Sequence, residues 1–151
     1  MSLFTAYTSA ISAQLAIAAQ QQGNALADIP VMAEDAQDLE TQIAKAIDEE
    51  GMLVLIGMPT MDNTAQSVSV ADFKITSSIA VGENPTIWRD NPLTVPICLD
   101  VVQAVVVALQ GLMVQGFARR LNVMRVDYIP DKKRQLYEIS IESRIAVDAQ
   151  N

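Results

Sequence analysis

Apolar residues recur at spacings of three and four from the start of the chain. Phe4, Tyr7, Ile11, Leu15 and Ala18 fall on one face of a helix, which the spacing predicts to end near Gly23-Asn24. Residues 27–32 read as a short edge strand, because Pro30 cannot donate to a central ladder. Leu39, Ile43 and Ile47 form the apolar stripe of a second helix over residues 35–50, with Gly51 placed to close it. The continuous apolar run 52–58 (MLVLIGM) reads as a buried strand stopped by Pro59, and residues 60–66 read as a polar loop.

Residues 67–81 read as a long strand. Val68 and Val70 share one parity, whereas Phe73, Ile75, Ile79 and Val81 share the other. One extra residue flips the faces of a strand, so a bulge or bend is expected near Ala71-Asp72. A turn-rich break, Gly82-Glu83-Asn84-Pro85, follows. Thr94 is then placed to cap a hydrophobic helix that carries Pro96 in its first turn and runs to about Gln110. Beyond it, residues 121–129 and 136–147 flank a turn at Pro130-Asp131-Lys132-Lys133. Tyr137, Ile139, Ile141, Ile145 and Val147 alternate with Glu138, Ser140, Glu142 and Arg144, the pattern of a hairpin with one wet face.

Strands and helices do not alternate regularly, which argues against a doubly wound parallel sheet. The expected class is α+β: a mostly antiparallel sheet with helices packed on one face, a long bent strand and a C-terminal β-hairpin, in a single domain over residues 1–151.

Composition narrows the chemistry. The chain has no histidine and one cysteine, Cys98. A Ser-His-Asp triad, a Cys-His pair, imidazole metal ligands, a thiolate zinc cluster and an intrachain disulfide are therefore excluded, and a reducing compartment is expected. Cys98 lies among Ile97, Leu99 and Val101 and is expected to be buried and inert. Gly111 and Gly116 have phosphate-loop spacing, but Phe117-Ala118 stands where Lys-Ser/Thr is required. The apolar stretch 95–114 carries Asp100, Gln103 and Gln110 on one stripe and is expected to be a core helix, not a membrane span; the N-terminal residues carry no basic region of a signal peptide. No cofactor, metal or membrane partner is expected.

Charge divides the chain. Ten Lys and Arg stand against eighteen Asp and Glu, a formal net charge of −8. Residues 1–66 hold nine of the acids and one base, Lys45, so they carry the whole net charge; residues 67–151 are neutral. The acids of residues 34–50 read as a solvated helix face. The bases gather at Arg119, Arg120 and Arg125 and at Lys132, Lys133 and Arg134. These bases read either as solvated helix and hairpin surfaces or as the basic face of a charge-polar subunit, whose acidic and basic faces can meet head to tail around a ring; the overall acidity disfavours nucleic acid as a partner. Trp88, beside Arg89, is a candidate partner anchor or, equally, a cap on the core under its loop.

Residues 79–89 (IAVGENPTIWR) resemble the strand and Glu-Asn-Pro-x-x-Asn-Arg pattern of small tailed-phage proteins, with Trp88 in place of the Asn. The helix end Leu109-Gln110-Gly111 and the turn Pro130-Asp131 extend the likeness. The family resembled is that of phage tail-terminator-like and neck proteins. The resemblance implies an α+β homo-oligomeric ring, typically a hexamer, on the end of the tail tube. Such a ring stops tube growth and meets tail-tube and head-connector proteins in a virion assembled in the bacterial cytoplasm. It implies no enzyme activity. In the matching segment Asn84-Pro85 would fix the exit from the strand, since a residue before proline avoids the helical region, and Glu83 would pair with Arg89 across the loop or a subunit boundary. The alternative reading is a small α+β ligand-binding domain or carboxylate-based enzyme.

Overall fold

The computed structural model describes residues 2–35, 38–64, 70–84 and 97–148. The N-terminal periodicity forms α1 (Leu3–Ala19), whose first turn is capped by the Ser2 hydroxyl accepting the Thr5 N–H at 3.1 Å. Tyr7, Ile11, Leu15 and Ala18 are buried along one face. Strand β1 (Val31–Ala33) is an edge strand, as Pro30 foretells; helix α2 (Leu39–Ala44) continues as a π-helical segment (Lys45–Glu50). Gly51, with φ of 94°, reverses the chain into β2 (Met52–Ile56), which returns parallel to β1.

Residues 60–66 are not all loop. Thr60–Asn63 form β3, antiparallel to β4 (Val70–Glu83), with a Thr60–Thr76 hydroxyl pair at 2.8 Å. This strand lies at an edge and only Met61 turns toward the core, so it lacks the apolar alternation that announces a strand. The bulge expected at Ala71-Asp72 is also absent, because β4 keeps one unbroken register with β6 from Val70 to Glu83. The extra residue sits on the neighbouring strand. Ile56 pairs with Ile79 and Thr60 with Thr76, so four steps on one side match three on the other across Gly57-Met58-Pro59. The Gly57 N–H donates to the Ser78 carbonyl at 2.8 Å, and a Cβ on Gly57 would lie 2.7 Å from that oxygen; only glycine allows this approach.

Helix α3 (Cys98–Leu109) buries Cys98, Val101, Val102, Val105 and Leu109. Thr94 and Pro96, expected to begin it, lie outside the described residues. Strands β5 (Asn122–Ile129) and β6 (Gln135–Asp148) form the C-terminal hairpin, with a register shift at Met124. Among the described residues the six strands make one sheet, in the order β1-β2-β4-β6-β5, with β3 beside β4. All pairings but β1–β2 are antiparallel, so the α+β class is as expected. The main core lies between one sheet face and the two long helices, α1 and α3. The short acidic α2 and its π-helical continuation lie on the opposite face, where Ile47 and Ala46 pack on Leu53, Leu55 and Met32. The helix layer is therefore one-sided only for the long helices. No helix among the described residues is long and apolar enough to cross a membrane.

Candidate interaction surfaces

Residues 111–121, after α3, form a loop closed on itself: the Gly111 N–H donates to the Leu121 carbonyl at 2.9 Å and the Leu121 N–H to Leu112 at 2.8 Å. Val114 and Phe117 anchor it in the core, Phe117 stacking on Tyr7 with ring centroids 5.8 Å apart. It is tied to β6 by the Ala118 N–H on the Arg144 carbonyl (2.7 Å) and the Ser143 hydroxyl on the Arg119 carbonyl (2.6 Å). These bonds hold Arg119 and Arg120 at the start of β5. There they border an open concavity of about 450 Å³ with Asn122, Glu142, Ser143 and Arg144. Arg120 donates to the Gly111 carbonyl at 3.0 Å, and Arg144 pairs with Asp72 at 3.2 Å. The Arg119 guanidinium makes no hydrogen bond or ion pair among the described residues.

The two gatherings of basic residues in the sequence lie at opposite ends of β5, and neither stays whole. Lys132 and Lys133 are exposed in the β5–β6 turn, where the Asp131 carboxylate accepts the Lys133 and Arg134 N–H groups at 2.9 and 3.0 Å. These bonds, the Lys133 one foremost, hold the Asp131 carboxyl below its ordinary value. The eight residues of β5 place this turn about 27 Å from Arg119, at about 3.4 Å per residue. Arg134 folds back to Asp48 of the acidic π-helical segment at 3.4 Å, so acids and bases are not fully segregated. Arg125, midway, is engaged by Asp127 at 2.8 Å. Arg144 belongs with Arg119 and Arg120, yet the sequence shows it only as one polar position on a wet strand face. Only the strand register reveals its neighbours.

The Glu-Asn-Pro segment is divided. Glu83 is 5% exposed and points inward, its carboxylate accepting the Cys98 N–H at 3.1 Å. The Asn84 N–H donates to the Gly51 carbonyl at 2.9 Å. Pro85, Trp88 and Arg89 lie outside the described residues, and with them the expected Glu83–Arg89 pair.

Burial first, and then the neighbouring Glu83 carboxylate, push the Cys98 thiol up to about 12. The thiolate is the nucleophile in thiol exchange. Ellman's reagent at pH 8 is therefore expected to find no thiol in the native chain and one per chain after urea unfolding. Rapid native reaction would contradict this burial. Among the described residues no three acidic or cysteine side chains gather as a metal cluster.

No family model matches the chain, and no curated protein matches it. Its fold does match a solved structure described as the virion of native gene transfer agent (GTA) particle. The TM-score is 0.61 at 14% identity, over 92% of this chain and 93% of that one. At this identity the likeness establishes a shared fold over nearly the whole of both chains.

Proposed function

We propose that this chain is a structural protein of a phage or phage-like particle. In this reading it forms a homo-oligomeric ring at the end of the tail tube, ends tube growth there and offers a surface to the head connector. The observation that carries the reading is the fold shared, over 92% of this chain and 93% of the other, with a chain of a gene transfer agent virion. The segment 79–89 supports the finer role through its resemblance to tail-terminator-like proteins. So do the helix end at Leu109-Gln110-Gly111 and the Pro130-Asp131 turn, both of which fall at element boundaries in the fold.

On this reading the chain works by contact and not by catalysis, its place is the virion, and its partners are copies of itself, the tail tube and the head connector. The test is to add gold-labelled chain to tail tubes assembled from the tube protein of the same particle, and to image them. Label confined to one tube end, with tubes of fixed length, is the expected result. Label along the tube walls, or none on tubes, refutes the role. The mass of the assembled species then gives the number of 16.4 kDa copies, six for the expected hexamer.

A further inference from the structure

We infer that copies of this chain join side by side, the β5 edge of one seated against the β1–α2 edge of the next. This rests on the ring reading above and names the surfaces that meet.

Two apolar rows cross the helix-covered face of the sheet. One runs Val31, Val54, Val81, Tyr137, Tyr128; the other runs Ala33, Ile56, Ile79, Ile139, Val126. Both are buried in the middle and emerge at β5, where Tyr128 is 54% and Val126 41% exposed. The helix layer reaches the start of β5, where Val123 packs on the core, but leaves Val126 and Tyr128 uncovered. Beyond it, among the described residues, no strand pairs with the eight residues of β5. A long edge strand with apolar side chains is what a protein must cover or defend. The charges on it, Arg125 and Asp127, neutralise each other.

Charge selects the occupant. The concavity at the start of β5 holds three arginines against Glu142, a net of +2. The outer surface of α2 and the π-helical segment, which begins over β1 and β2, holds Glu40, Asp48 and Glu49 against Lys45; with Asp48 taken up by Arg134 of the same chain, Glu40 and Glu49 against Lys45 leave a net of −1. Glu40 and Glu49 make no ion pair within the described residues. Within one chain the acidic surface meets the hairpin through Asp48 and Arg134, at the turn end of β5, and the eight residues of β5 set that end about 27 Å from Arg119, so a second copy must supply the complement. Pairing of β5 with β5 would instead bring Arg119 and Arg120 toward the partner's Lys132 and Lys133, base against base. A contact between unlike edges repeats from copy to copy and closes a ring when its rotation allows.

The test uses charge exchange, read by analytical ultracentrifugation. Arg119→Glu with Arg120→Glu, and separately Glu40→Lys with Glu49→Lys, are expected to weaken assembly at least tenfold, and an equimolar mixture of the two variants to restore it. Val126→Asp with Tyr128→Asp is expected to leave monomers in either company. Added salt is expected to weaken the wild type, since exposed pairs are screened. Wild-type oligomers that survive all three variants overturn the inference and leave the ring reading standing. So does failure of the mixture to restore assembly. A wild type monomeric at every concentration overturns it too, whereas the ring reading falls only when label is also missing from tube ends.

Discussion

Replacing Ile79 by alanine is expected to cost about 3–4 kcal/mol of stability, inside the span of about 2–5 kcal/mol for truncating a buried isoleucine. Ile79 has no exposed surface and stands at the middle of the sheet, flanked by Ile56 on β2 and Ile139 on β6, both also fully buried. The helix layer lies over it, so the site has neighbours on every side and little room to collapse around the lost atoms. A domain of this size is held by roughly 5–15 kcal/mol in total, so the loss should lower the melting temperature by about 10 °C. Ile79→Val, which removes a single methylene, is expected to cost about 1 kcal/mol. Val126→Ala, at the exposed end of the same row, should cost under about 0.5 kcal/mol. Urea unfolding of the three variants measures this gradient, and equal losses at positions 79 and 126 would mean that the row is not buried from its centre outward.

That row also shows what a sequence can reveal. The alternation in β6 is legible because each second residue meets either the helices or water. The rhythm of Ile139, Ile141 and Ile145 therefore reports the faces directly. β3 is illegible for the opposite reason: an edge strand with one inward side chain, Met61, has no rhythm to report. Parity misled at Ala71-Asp72, where the change of face between Val70 and Phe73 suggested an extra residue. The actual one lies across the ladder at Gly57-Met58-Pro59, in a segment whose Pro59 was legible only as a stop. The apolar stripe of α2 was visible, but not the face it covers, since Ile43 and Ile47 would pack equally well on either side of a sheet. The basic groups divide in the same way. Neighbours in sequence, such as Arg119 and Arg120, are evident, whereas their grouping with Arg144 depends on the loop that ties residue 118 to β6.

Replacing Glu83 by alanine is expected to cost about 2–3 kcal/mol, a large loss for a residue that the sequence marks as a partner for Arg89. A helix begins with N–H groups that have no partner inside it. In α3 the group at Cys98 is buried, and the Glu83 carboxylate, at the end of β4, satisfies it at 3.1 Å. The bond joins the longest described ladder of the sheet to the first turn of the hydrophobic helix. A hydrogen bond to a charged acceptor contributes roughly 1.5–3 kcal/mol, and its removal leaves a buried donor unsatisfied. Glu83→Gln keeps an acceptor without the charge and should lose about 1 kcal/mol. Asp100→Ala removes the neighbouring bond, from the Ile97 N–H at 3.3 Å, but in an exposed position, and should cost under about 1 kcal/mol. Cys98 reports the local consequence. With Glu83 gone the first turn frays and the charge that raises the thiol is removed, so Cys98 should become reactive in the folded chain. A Glu83→Ala variant that keeps both its stability and a silent Cys98 would assign the burial of this carboxylate to some other purpose than seating α3 on β4.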